Sequence, residues 1–312
     1  SLNSNSFTVG TQLVKHPNTS AVTFTGSFQG GTALWKAANE REVPIPVFSE
    51  MGSTNPVYFL SNILDNSATD LAKTMAGSIT LGSGQFCTNP GLMVGIKSQA
   101  LSQFANELQR LIEQALPSVM LSKGISTNYY SKMNALLQQK GVSLLASAKA
   151  TKASDNDGVP GIATVDFEIF KQNPQLHEEI FGPFSLLVQC NNSDELLEFV
   201  CLQMGQLTSS IFGSDSDFEV FANVIEQVKK KAGRLVFNGV PTGVEVNTSM
   251  HHGGPFPATT DSRFTSVGPD AIKRFVRPIA YQNAPQSMLP PELKDGNPLG
   301  IWRKVNGKLT KD

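Results

Sequence analysis

Four short segments each set a chemically capable side chain beside a turn. Gly84-Gln85-Phe86-Cys87-Thr88-Asn89-Pro90 lifts a cysteine out of a glycine-flexible turn. A thiol with access and backbone amides around it can ionise and act as a nucleophile, although a buried structural cysteine fits the same residues. Glu50-Met51-Gly52-Ser53-Thr54-Asn55-Pro56 places a carboxylate directly after an apolar strand. In an open α/β sheet the carboxyl ends of strands face the ligand crevice, where such a group can do acid/base work; a solvated loop glutamate is the plainer alternative. Phe24-Thr25-Gly26-Ser27 closes a strand and opens a helix, with Gly30-Gly31 just inside. Amides at a helix start, with the helix dipole, favour a phosphate, and an ordinary strand-to-helix turn has the same pattern. His177-Glu178-Glu179-Ile180-Phe181-Gly182-Pro183-Phe184 joins an acidic pair to an aromatic ring and a Gly-Pro turn. Its carboxylates can accept ribose hydroxyls and a phenyl ring can flank a planar cofactor ring, or the stretch is a charged loop with one packing Phe.

The elements that must position these segments alternate strand and helix. Apolar periodicity predicts strands over residues 21–25, 44–48, 92–96, 185–188, 209–212 and 235–237. It predicts helices over 28–39, 67–79, 101–112, 194–202 and 217–230, with 121–139 mostly helical. This is the alternation of an α/β fold with an open parallel sheet. Residues 238–268 are rich in Gly, Pro, Thr and Ser and read as a long functional or interface loop. Past Arg277, the prolines at 278, 285, 290, 291 and 298 predict an extended arm.

Composition removes several classes of function. Lys and Arg number 25 against 26 Asp and Glu, without a basic stripe, so no nucleic-acid footprint is present. No apolar run approaches the ~18 residues of a membrane span, so no membrane partner is expected. Three cysteines argue against a disulfide framework and for a reducing compartment, with the cytoplasm expected. Cys190 and Cys201 lie in apolar contexts and read as buried structural thiols.

Taken together and in order, the four segments resemble the signatures of the aldehyde dehydrogenase superfamily: a strand ending in Phe-Thr-Gly-Ser, a Glu-Leu-Gly-Gly segment, a Gly-Gln-x-Cys segment and a Glu-Glu-Ile-Phe-Gly-Pro segment. Met51 and Ser53 depart from the second signature. With Gln85 to Gly91, that variant is similar to the branch that oxidises 2-oxoglutarate semialdehyde, as are Val240 to Val244, His251 to Thr260 and Thr265 to Gly268. The match runs from about Gly10 to Gln282. It implies an aldehyde dehydrogenase-like α/β fold, of which residues 1–50 are the C-terminal remnant of a Rossmann-type NAD(P)-binding domain. Residues 51–270 are then a complete α/β catalytic domain, and 271–312 the C-terminal extended arm.

The resemblance also implies roles. Cys87 is the nucleophile and supplies a backbone N–H to the oxyanion, and Glu50 is the general base. Gly26 and Ser27 hold pyrophosphate, Glu179 binds the nicotinamide ribose and Phe181 flanks the ring of NAD or NADP. Arg263 and Phe256 fall in the loop that lines the substrate entrance, with Arg263 the cation for a carboxylate-bearing aldehyde. Neighbouring histidines on a loop do not readily face one site, and no ligand set at suitable spacing joins His251 and His252, so no metal is expected. Family members are longer and associate, so a truncated chain and a homo-oligomer are expected. Two other readings stay open: a non-catalytic folded module, and a cofactor-independent thiol hydrolase using Cys87 and Glu50.

Overall fold

The computed structural model describes residues 7–312. The chain divides into two compact units, one ending at Arg274 and the other running from Phe275 to Asp312.

The first unit opens with α1 (Phe7–Lys15), β1 (Val22–Thr25), α2 (Phe28–Asn39) and β2 (Val47–Glu50). β1 and β2 pair in parallel, from Val22 beside Val47 to Thr25 beside Glu50. Thus the Phe-Thr-Gly-Ser turn and the carboxylate leave the same edge of one small sheet. The strand expected over 44–48 starts only at Val47: Pro44 and Pro46 cannot donate to a ladder, and the carbonyl of Pro46 instead accepts the Val22 amide at 3.0 Å.

The chain continues through β3 (Val57–Phe59), α3 (Ser61–Thr80), β4 (Leu92–Ile96), α4 (Gln99–Gln114), β5 (Ser118–Val119) and α5 (Lys123–Leu137). Then come β6 (Ser143–Ser147), β7 (Asp157–Gly158), β8 (Gly161–Asp166), α6 (Phe167–Gln172), β9 (Phe184–Cys190), α7 (Ser193–Leu202), β10 (Gln206–Phe212), α8 (Asp215–Val220), α9 (Ala222–Val228) and β11 (Ala232–Phe237). Seven strands form one sheet in the order β11-β10-β3-β4-β9-β8-β6, parallel throughout except for β6 against β8. Helices cover both faces, which is why β3 and β4 at its centre are apolar throughout. Val57, Phe59, Met93 and Leu187 pack with α3 and α4, whereas Tyr58, Val94, Leu186 and Val188 pack with α5, α6, α7 and α9. Successive side chains of a strand point to opposite faces, so one run feeds two cores.

α4 shows why the periodic helices were readable: Leu101, Phe104, Leu108 and Ile112 are all buried, and the Ser98 hydroxyl caps the start by accepting the Leu101 amide at 3.0 Å. The helix expected over 67–79 begins six residues earlier, at Ser61, with a kink at Ser67, whose backbone is non-helical, just where the expected helix starts. The single helix expected over 217–230 is two, divided at Phe221. Residues 238–268 hold neither helix nor strand, but an isolated bridge ties Thr259 to Glu50.

In the second unit, two short 3₁₀ turns precede a hairpin of β12 (Arg303–Val305) and β13 (Lys308–Thr310). Its turn residues Asn306 and Gly307 both have positive φ, at 49° and 82°, the conformation a tight two-residue hairpin requires. An extended arm was expected here, and the prolines fall before the hairpin.

Candidate active site

Two sheet edges and one loop meet at the site. Glu50 is the last residue of β2, at the carboxyl end of the small sheet. Cys87 precedes β4, so it stands at the amino end of the seven-stranded sheet. His252 comes from the long loop. Its Nε2 lies 3.4 Å from Cys87 Sγ and 3.2 Å from Glu50 Oε1. The second carboxylate oxygen of Glu50 accepts the Ser266 hydroxyl. His252 is itself fixed through its backbone, donating to Thr265 Oγ1 at 2.8 Å and accepting the Ser266 amide at 2.8 Å. Glu50 and His252 are only 6% and 5% exposed, while Cys87 is half-buried and reachable from solvent.

A buried polar network holds the two edges in register. Gln206, at the start of β10, accepts with one side-chain oxygen from the Thr54 amide (2.8 Å), the Asn55 amide (3.2 Å), the Ser53 hydroxyl (2.8 Å) and the Thr54 hydroxyl (3.2 Å). Asn55, fully buried at φ 45°, donates to the carbonyls of Cys87 and Asn89, both at 2.9 Å, and its oxygen accepts from Ser53 and Thr208. The residues just after Glu50 therefore grip the loop that carries Cys87. On the other side, Gly84 has φ 64°, and a Cβ there would lie 2.2 Å from the backbone of Gly182. Only glycine permits both the conformation and the approach. Asn89 adds a bond to the Gly182 carbonyl at 3.1 Å, so the Glu179 to Pro183 segment is seated against the cysteine loop.

The electrostatics follow from this packing. Burial pushes the Glu50 carboxyl up, but the bonds from His252 and Ser266 and the charge of His252 outweigh it and hold the group below the usual carboxylate range. The bonds from His252 to Cys87 and to Glu50 raise its imidazole to about 9, against burial. Both contacts use the same ring nitrogen, so one Nε2–H in the imidazolium form points between a sulfur and a carboxylate. Burial raises Glu179 to about 7, offset in part by the charge of Lys132 and the Ser53 amide. Burial likewise pushes the Cys190 thiol up to about 12.

Not every residue expected at the site is brought there. Ser27 caps α2, accepting the Gly30 amide at 3.2 Å, and the Gly26 amide donates to the Glu50 carbonyl at 3.1 Å. The phosphate-favouring turn is thus bonded directly to the candidate base. The Glu179 carboxylate lies over Gly52, where a Cβ would come within 2.4 Å of Oε2, and Phe181 is half-buried nearby in sequence. Phe256 packs edge-on against Phe28 with ring centroids 5.9 Å apart, more than half exposed. Arg263 is occupied otherwise: its guanidinium pairs with Asp261 at 2.6 and 2.9 Å, 79% exposed, and no contact among the described residues joins it to Cys87, Glu50 or His252. All three cysteines are free, but Cys201 is exposed, because it lies on the outward side of α7; only Cys190 is buried.

Sequence reasoning missed the role of His252, and Ser266, Asn55 and Gln206 altogether. The signal for His252 was the glycine pair that follows it, a sign of close backbone approach. Gly254 packs against the Gln206 carbonyl, where a Cβ would lie at 2.1 Å. Another residue not foreseen is Arg234 on β11, half-buried, which donates to the carbonyls of Pro241 at 2.6 Å and Gly243 at 3.1 Å and so shapes the start of the loop.

Residues 2–275 match the model of the aldehyde dehydrogenase family. The chain belongs to that family. It is 44% identical over 305 residues to an alpha-ketoglutaric semialdehyde dehydrogenase of Acinetobacter baylyi, covering 97% of this chain and 58% of that protein. It is 40% identical over 300 residues to alpha-ketoglutaric semialdehyde dehydrogenase 2 of Azospirillum brasilense, covering 96% of this chain and 57% of the relative. The chain therefore spans somewhat more than half the length of these curated relatives. Among solved structures, the succinic semialdehyde dehydrogenase of Streptococcus pyogenes in complex with NADP+ superposes with a TM-score of 0.72 at 19% identity, over 89% of this chain and 59% of that one. The fold is that of an aldehyde dehydrogenase, in part. Among the described residues, no helix is long and apolar enough to cross a membrane.

Proposed function

We propose that this chain carries the chemical centre of an NAD(P)-dependent aldehyde dehydrogenase whose substrate is 2-oxoglutarate semialdehyde. The observation that carries the reading is the convergence of Cys87, His252 and Glu50 from three distant parts of the sequence. The two relatives named for that semialdehyde, at 44% and 40% identity, support the substrate.

In this reading the Cys87 thiolate attacks the aldehyde carbon, and its own backbone N–H donates to the alkoxide that forms. His252 Nε2, 3.4 Å from Cys87 Sγ, orients the sulfur beforehand. Loss of hydride from the carbon converts the thiohemiacetal to a thioester. Glu50 then takes a proton from water as that water attacks the thioester carbon, and the acid leaves with Cys87 restored. Once the sulfur is acylated its charge is gone, and in this reading Glu50 faces the thioester.

The residues present suit a dinucleotide. The first turn of α2 carries no acidic residue, and Ser27 satisfies the Gly30 and Gly31 amides, leaving those of Phe28 and Gln29 for a phosphate. In this reading the Glu179 carboxyl accepts ribose hydroxyls and Phe181 flanks the ring. When bound, the nicotinamide is the hydride acceptor. The same reading implies a cytoplasmic setting, where free thiols stay reduced, and a homo-oligomer.

A cofactor-independent thiol hydrolase would also draw on the Cys87–His252 contact. A relay of that kind needs the carboxylate on the ring nitrogen remote from sulfur, whereas here Glu50 and Cys87 share Nε2. The test is nucleotide reduction by the chain with 2-oxoglutarate semialdehyde, using NAD and NADP, beside Cys87→Ala. Reduction that the substitution abolishes is expected. Reduction that persists in Cys87→Ala, or ester hydrolysis without nucleotide as the only activity, would overturn the reading.

A further inference from the structure

Cys87, His252 and Glu50 also make a set of metal donors of three kinds. One sulfur, one ring nitrogen and one carboxylate oxygen lie within 4.8 Å of one another. In a tetrahedral zinc site, bonds of about 2.3 Å to sulfur and about 2.0–2.2 Å to nitrogen and oxygen set ligand atoms roughly 3.3–3.7 Å apart. The separations here, 3.4 Å from Sγ to Nε2 and 3.2 Å from Nε2 to Oε1, come close to that spacing before any ion enters. Residue spacing does not reveal this set, because the donors are far apart in the chain and only one of the two neighbouring histidines takes part.

The surroundings suit a metal as well. Ser266 holds the other oxygen of Glu50, an outer bond of the kind that orients a ligating carboxylate. The backbone of His252 is pinned by Thr265 and Ser266, which fixes the height of its ring. Two of the three donors are almost fully buried, while the half-buried Cys87 leaves an approach for the ion and a fourth position for water. A thiolate with an imidazole selects zinc over magnesium or calcium.

We propose that the cluster binds Zn²⁺ through Cys87 Sγ, His252 Nε2 and one oxygen of Glu50, and that the bound ion reversibly switches the nucleophile off. Coordination displaces the proton on Nε2, and any proton on the thiol, to solvent; nothing is oxidised or reduced. A coordinated sulfur cannot attack an aldehyde. The inhibitory meaning rests on Cys87 being the dehydrogenase nucleophile, whereas the binding does not.

The experiment therefore uses neither aldehyde nor nucleotide. The whole chain, freed of metal by a chelator, is titrated with Co²⁺ alone. One ion per chain is expected, with a near-ultraviolet sulfur-to-cobalt charge-transfer band that Zn²⁺ then removes. Cys87→Ser abolishes the band, Cys201→Ser keeps it, and Ser266→Ala weakens Zn²⁺ binding about tenfold. In a parallel measurement on the unaltered chain, Zn²⁺ slows iodoacetamide labelling of Cys87 about tenfold or more and chelation restores it. This second readout decides the matter if Cys87→Ser fails to fold. A band that survives Cys87→Ser or vanishes in Cys201→Ser would overturn the proposal, as would labelling of Cys87 indifferent to Zn²⁺. A chain that binds zinc in this way and yet oxidises no aldehyde would separate this proposal from the dehydrogenase reading.

Discussion

The carboxyl edge of the small sheet and the amino edge of the large one contribute to the site by different means. At the first edge, Gly26 and Ser27 follow β1 and Glu50 ends β2, and a parallel ladder sets them side by side. At the second, Asn55, Cys87 and Gln206 stand in front of β3, β4 and β10, and a web of buried side-chain bonds aligns them. Backbone pairing tolerates change in side chains; a buried polar web does not, because each lost partner leaves another group unsatisfied. The first edge is therefore expected to bend under substitution where the second breaks.

The sharpest way to test that contrast is Asn55→Ala. It strips partners from the Cys87 and Asn89 carbonyls and from two hydroxyls, and its residue sits at positive φ, so a loss of about 3 kcal/mol or more is expected in denaturant unfolding. A loss below 1 kcal/mol would mean that the web does not hold the edge. Gln206→Leu should follow at roughly 2 kcal/mol, since the amides of Thr54 and Asn55 lose their acceptor inside the core.

Glu179 links the edges and gives a pH test. Its folded value of about 7 lies above its ordinary value, so the folded state holds the proton more tightly and stability falls as pH rises from about 4.5 through 7. Glu179→Gln removes that loss. The variant should melt higher than the unaltered chain at pH 8, by an amount on the order of 1–3 kcal/mol, and the advantage should shrink towards pH 5. An advantage that grows on acidification would contradict the buried-carboxyl account. The smallest effect belongs to the first edge: Ser27→Ala removes one cap from α2 and should cost about 1 kcal/mol, seen as a lower melting temperature.

The two edges also differed in how readable they were. β4 was legible to the residue, Leu92 to Ile96, because its apolar run is flanked by a Gly-bearing turn and a helix cap at Ser98. β3 was not, since its three residues follow Pro56 and are too few to show a period. β6 and β8, at the far end of the sheet, carry Ser, Gly, Ala and Thr among their apolar residues, too mixed a pattern to stand out as strands. Glu50 and Cys87 stood out through the turns around them, and the family resemblance tied them together. The role of His252 was harder to read: its place depends on a loop whose course is set by glycines packed against other backbone, among them Gly233 against Gly253. Arg263 shows the converse: a local partner two residues away, Asp261, claims its charge.

The central claim is that Cys87, held against the His252 imidazole, is the nucleophile of the site. Iodoacetamide labelling at neutral pH, resolved by peptide mapping of Cys87, Cys190 and Cys201, tests it most directly. Cys87 should label about tenfold faster than the exposed Cys201, with the buried Cys190 silent, and His252→Gln should slow Cys87 about tenfold while leaving Cys201 unchanged. Cys201 labelling first, or Cys87 indifferent to the loss of His252, would contradict the account.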